Sequence, residues 1–218
     1  MVFHLGRWPQ YFTEYLASGL LVTLGLWVAC CITTMVFALP VAVMRSSGWW
    51  PLRVVATAYI EVFRGTPLLV QLFVFFAYVP ILTGVLLPPW PTALLVLTLN
   101  GGSDLAESYR SGIQAVPRGQ REAAAALGMS NLRVWTRVVL PQAVRTIQPS
   151  IGTILVSLLL GTSFSYLTGV VDLMAQTEAV QILFSDFSVF LLAALLYVAM
   201  ALTLTWGNSA LERKVRIP

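Results

Sequence analysis

Five stretches of this chain are apolar over about the length needed to cross a lipid bilayer: Leu16 to Met44, Leu68 to Leu87, Thr92 to Gly112, Ile151 to Val171 and Val189 to Leu211. A hydrocarbon core about 30 Å thick is spanned by roughly 20 helical residues, so each run predicts a transmembrane helix. Composition supports this: 58% of the 218 residues are hydrophobic and 10% are charged, where soluble domains carry about a quarter charged residues. The expected fold is an all-α membrane protein of about five transmembrane helices plus short cytoplasmic helices, forming a single domain over residues 1–218.

Arginine placement orients the runs. Arg45 and Arg53 follow the first, Arg110, Arg118, Arg121, Arg133, Arg137 and Arg145 follow the third, and Arg213, Lys214 and Arg216 follow the fifth. The connections from Val79 to Pro91 and from Asp172 to Ser188 hold no Lys or Arg. By the positive-inside rule the basic segments are cytoplasmic, which puts the N-terminus outside and the C-terminus inside. Trp8 and Trp90 would mark the outer interface, and Trp49, Trp50 and Trp206 the inner one.

Several function classes are set aside. The net charge of +4 reflects membrane orientation, so no nucleic-acid partner is expected. The first apolar run exceeds a signal-peptide core of roughly 7 to 15 residues and should be retained as a span. Cys30 and Cys31, adjacent in that run, are expected to be small packing residues and not a metal or disulfide pair. His4 is the sole histidine, so no catalytic residues and no metal site are expected. No phosphate-binding loop of the form Gly-x-x-x-x-Gly-Lys-Ser/Thr occurs, so the chain should bind no nucleotide itself. There is no internal repeat, and an odd span count disfavours an inverted-repeat plan.

One polar interruption, Arg118 to Pro141, stands out. Pro117 suits a first helical turn, the alanines after Glu122 favour helix, and Gly128 is a natural left-handed stop. Ser130 is expected to cap a second helix lying on the membrane surface, with Leu132, Val134, Trp135, Val138 and Val139 on one side and Arg133, Thr136 and Arg137 on the other. The residues Glu122-Ala123-Ala124, Gly128, Val138, Leu140 and Pro141 resemble the cytoplasmic signature of permease subunits of ATP-binding cassette importers. That signature is Glu-Ala-Ala, three residues, Gly, nine residues, then Ile-x-Leu-Pro; the departure is Val138 for Ile. The bland alternative is an alanine-rich linker between spans. The resemblance implies a coupling loop over about residues 113–145, with Arg118, Arg121, Glu122, Ala123, Ala124, Gly128, Leu140 and Pro141 at its ATPase contact.

The stretch Tyr59 to Phe73, YIEVFRGTPLLVQLF, is similar to the corresponding segment of permeases for polar amino acids. Trp49 to Arg64 is expected to be an interfacial helix, with Glu61 and Arg64 as an ion pair worth a few tenths of a kcal/mol. In the third run, Asn100, Ser103, Asp104, Glu107, Ser108 and Ser111 share one helical face. Such a stripe should meet a cavity or a partner and not lipid. Asn100, Ser103, Asp104 and Glu107 are therefore the candidate substrate path. Glu107 has Arg110 three residues on; Asp104 lacks a basic helical neighbour, and either contacts substrate, meets an arginine from another span or subunit, or stays protonated. The family's usual Lys-Asp-Thr-Ser after the fourth run is here Leu160-Gly161-Thr162-Ser163, with both charges missing.

The resemblance implies an importer permease for a polar or charged amino acid in a bacterial inner membrane. Its implied partners are an ATPase subunit carrying ATP and Mg, a second permease and an extracytoplasmic substrate-binding protein, with membrane lipid around the spans. The substrate's identity and the choice of homodimer or heterodimer stay open. An ion-coupled secondary transporter or channel subunit is the rival reading, with the acidic stripe as its ion path.

Overall fold

Apolar runs set where helices form, and the polar and proline-containing breaks set where they stop. A computed structural model describes residues 4–215. Arg216 lies outside the described residues, and Lys214 is described in its backbone alone. Among the described residues the chain is helical and has no strands. Its elements are α1 (Leu5–Arg45), α2 (Trp50–Gly65), α3 (Leu68–Thr83), α4 (Pro89–Ala115), α5 (Arg118–Ala126), α6 (Asn131–Thr162), α7 (Leu173–Phe184) and α8 (Ser188–Val215).

α4 stands between α1 and α6. Leu26 packs with Ala93 and Leu97, and Ala38 with Leu105, so α1 and α4 run in the same direction. Leu158 meets Gly101 and Ile147 meets Gly112, so α6 runs back against them. A Cβ on Gly112 would lie 2.2 Å from Ile147 Cγ2 and 3.1 Å from the Ala143 carbonyl oxygen, so the close approach needs glycine. α8 descends beside α6, with Asn208 against Gly152. The arginines named as cytoplasmic thus collect at one end of the bundle, while Arg7, Asp172 and Asp186 lie at the other.

α1, α6 and α8 are long and apolar enough to cross a membrane, and the pair α2–α3, bent by 108°, makes a fourth span if counted as one. α4, 27 residues long, carries the polar stripe. Three expectations are corrected. First, the segment predicted as an interfacial helix, α2, packs alongside the last third of α1 and the middle of α4: Tyr59 donates its hydroxyl proton to the Leu99 carbonyl and stacks edge-on against Phe37. Its one apolar face, with Ala56 and Ile60 buried, is what the surface-helix pattern had reported. Second, the fourth run does not reach Val171. It begins in the loop at Asn131 and ends at Thr162, because Thr162, Ser165 and Thr168 turn their hydroxyls onto backbone carbonyls and a 3-10 turn closes at Gly169 with φ 91°. Third, no separate surface helix precedes it. A π turn at Trp135–Val139 absorbs Pro141, whose ring would otherwise clash one turn back. The same device, Val74–Tyr78, precedes Pro80 in α3.

Candidate functional site

The polar loop is built as its spacing suggests. Pro117 precedes α5, and Gly128, at φ 76°, closes it. The Gly128 N–H donates to the Ala125 carbonyl at 2.9 Å and the Met129 N–H to that of Ala124 at 3.2 Å, the paired bonds of a Schellman stop. Ala124 is buried against Val134, Val139 and Ala143, which seats the helix on the bundle. Arg118, Glu122 and Ala123 face outward, with Leu127 83% exposed beyond them. Leu140 and Pro141 are exposed as well.

Arg121 plays a different part. Its Nη2 donates to the Ile113 carbonyl at 2.7 Å and its guanidinium lies 5.5 Å above the Trp135 ring, tying α5 to the ends of α4 and α6. Two local expectations fail. The Ser130 hydroxyl makes no capping bond, and Leu132 points outward, 73% exposed.

The polar stripe of α4 divides in two. Ser103 is buried and donates to the Asn100 carbonyl. Asn100 donates its amide to Gln71 Oε1 at 3.2 Å and to the Phe63 carbonyl at 3.4 Å. Gln71 donates in turn to the Phe63 and Thr66 carbonyls at 2.9 and 3.0 Å. These amides satisfy the carbonyls freed where α2 breaks before Pro67, so Asn100 braces the bend, while Ser103 bonds within its own helix.

Asp104, Glu107, Ser108 and Ser111 do line a groove of about 400 Å³, completed by Arg64 at the end of α2 and by Ser150, Thr153 and Ser157 of α6. Arg64 Nε donates to Asp104 Oδ1 at 3.0 Å, with both side chains 49% exposed. The expected Glu61–Arg64 pair is thus replaced by a pair across two helices. Glu107 takes Arg110, whose Nε lies 3.0 and 3.1 Å from its oxygens. The α6 hydroxyls were missed in the sequence; their spacing of three and four residues inside an apolar run was the available signal.

At the opposite end, Asp172 caps α7, accepting from Ala175 N at 2.8 Å and from Ser165 Oγ at 2.8 Å, while Thr23 of α1 accepts from Leu173 N. Asp186 is buried and receives bonds from Tyr11, Ser188 and the His4 backbone. The Asp172 carboxylate thus ties α7 to the Ser165 turn, and the Asp186 carboxylate ties the start of α8 to α1.

Comparison with known proteins gives a consistent result. Residues 34–217 match the family described as binding-protein-dependent transport system inner membrane component. An L-cystine transport system permease protein of Bacillus subtilis (strain 168) is 35% identical over 208 residues, covering 94% of this chain and 88% of its own length. A putative glutamine transport system permease protein of Rickettsia conorii (strain ATCC VR-613 / Malish 7) is 32% identical, covering 95% of each chain. A crystal structure of an amino acid ABC transporter with histidines contains a chain that superimposes with a TM-score of 0.91 at 33% identity, covering 98% of this chain and 100% of that one. With sequence family and fold in agreement, the chain belongs to the binding-protein-dependent transport system inner membrane components: it is a multi-pass permease subunit of an ATP-binding cassette importer, a transport subunit and not an enzyme.

Proposed function

We propose that this chain works as one permease domain that, with a second permease, encloses a path for a polar or charged amino acid across a bacterial inner membrane. A separate ATPase holding ATP and Mg drives it through the loop of residues 113–145, and an extracytoplasmic binding protein delivers the substrate. The relatives named for cystine and glutamine support the substrate class. The arginine-rich end faces the cytoplasm and the N-terminus lies outside.

The observation that carries the coupling role is α5 itself. Seated by Ala124 and stopped by Gly128, it presents Arg118, Glu122 and Leu127 outward and uses none of them inside the fold. A rigid, outward-facing helix of mixed charge and apolar contact is suited to a groove on a partner. Glu122→Lys reverses a charge without touching the core. In reconstituted vesicles it should lower substrate-stimulated ATP hydrolysis and uptake by about tenfold or more while membrane insertion stays normal. Normal assembly and normal import rates in that variant would remove the docking role.

The groove of Arg64, Asp104, Glu107 and the α6 hydroxyls is the proposed path wall. Half-exposed charges midway along α4 are costly against lipid, so this face belongs against water or the partner permease. In this reading Asp104, Glu107 and Arg64 form the wall itself, and Asn100 and Ser103 stand beside it on the same helix face.

A further inference from the structure

The other side of α4 carries a second, apolar groove. Its volume is about 630 Å³, and Leu39 and Val43 of α1, Tyr109 and Ile113 of α4, and Val144 and Ile151 of α6 are among its walls. Asp104, Ser108 and Ser111 face the polar groove, while Tyr109 and Ile113 face this one. It is thus turned away from the proposed path. It runs along α6 from Leu140 to Ile151, about 17 Å at a helical rise of 1.5 Å per residue. Leu39 and Val43 belong to the exposed apolar face of α1, with Val36 and Ile32 above them, so the groove opens onto an apolar surface of the chain.

Its mouth is basic. Trp135 and Ile113 both line it, and Arg121 lies over the first and donates to the carbonyl of the second. Among the described residues the ion pairs are Arg64–Asp104 and Arg110–Glu107, so the Arg121 charge meets no carboxylate at that distance. Ser46 and Ser47 add hydroxyls at the same rim. An apolar slot as deep as half a span, under an uncompensated guanidinium, matches an anionic phospholipid in both its parts.

We propose that this groove holds one acyl chain of an anionic phospholipid from the cytoplasmic leaflet, with the phosphate at Arg121. The leaflet named here rests on the orientation proposed above; the binding itself does not. Because the lipid would touch Trp135 and Arg121, its presence would brace the coupling loop against α1.

The test is native mass spectrometry of the purified transporter complex taken from nanodiscs of phosphatidylglycerol or phosphatidylcholine. Wild type should retain phosphatidylglycerol. Leu39→Trp and Val144→Trp, which fill the slot, should each reduce retention by about tenfold, whereas Val36→Trp, on the same helix outside it, should not. Arg121→Gln should keep binding but lower the preference for phosphatidylglycerol over phosphatidylcholine by about fivefold. Equal retention by wild type and the slot-filling variants overturns the proposal. So does a photo-crosslinker at Leu39 that labels a protein subunit instead of lipid. Neither readout depends on uptake, so failure here is separate from failure of the importer reading.

Discussion

At the scale of single residues, the ion pair Arg64–Asp104 joins two helices on the wall of the polar groove, and its function is separable from its structural role. Asp104→Asn and Arg64→Gln each leave one charge without its partner midway along the bundle, so each should lower uptake by about tenfold. If the pair only neutralises itself, the double variant regains activity in vesicle uptake assays. If the two groups meet the ammonium and carboxylate of a substrate, the double variant stays inactive. Asp172 gives a second residue-scale prediction. Burial pushes its carboxyl up from 3.8 to about 6, against the lowering effect of bonds from Ala175 and Ser165. A raised folded value means the stabilisation is complete below the unfolded value and is lost as pH rises through about 6. Asn is as good a helix cap and carries no charge. Asp172→Asn should therefore melt higher than wild type at pH 8, by on the order of 3 kcal/mol of stability, and should lose the wild-type dependence between pH 4 and 7 in thermal denaturation. Gly19 makes the same contact from α1: a Cβ there would lie 2.6 Å from the Asp172 carbonyl oxygen. Gly19→Ala should cost about 1–3 kcal/mol in the same measurement.

At the scale of elements, Gly128 is the test of α5. Its φ of 76° costs a β-branched residue about 1–2 kcal/mol or more, so Gly128→Val should turn the chain differently after Leu127 and uncouple ATP hydrolysis from substrate without emptying the membrane of permease. The bend between α2 and α3 is the corresponding test in the bundle. Gln71→Leu strips donors from the Phe63 and Thr66 carbonyls, at a cost of about 1–3 kcal/mol seen as a lower melting temperature. Helix existence, the glycine stop and the Glu107–Arg110 pair were legible because each depends on residues within one turn of each other. The bend was not. Gln71 and Asn100 are 29 residues apart, and no local period reports that one satisfies the break beside the other. The end of the fourth run was misplaced for a related reason: hydropathy counts Thr162, Ser165 and Thr168 as mild interruptions, whereas their hydroxyls compete for the backbone and end the helix. Arg64 was assigned to Glu61 because sequence shows the neighbour on its own helix and hides the one across the groove.

At the scale of the whole molecule, orientation is the quantity to measure. A cysteine at Leu86, exposed in the arginine-free connection, should react with an impermeant thiol reagent added outside, and one at Ser130 should not, in a background with Cys30 and Cys31 replaced by alanine. Ser188, the obvious polar choice in sequence for the outer position, is buried beneath Trp8 and would report falsely. The opposite labelling pattern would put α5 outside and end the coupling reading. One further consequence concerns α6, a single helix from the loop after α5 to the far end of the polar groove. Its π turn at Trp135–Val139 amounts to one residue more than an α-helix needs, so it offsets the azimuth of everything on one side from everything on the other by about 100°. The loop and the groove wall are therefore locked in phase by a residue count. Deleting Thr136 would remove the extra residue, press the Pro141 ring against the carbonyl one turn back, and rotate the loop out of step with the groove wall.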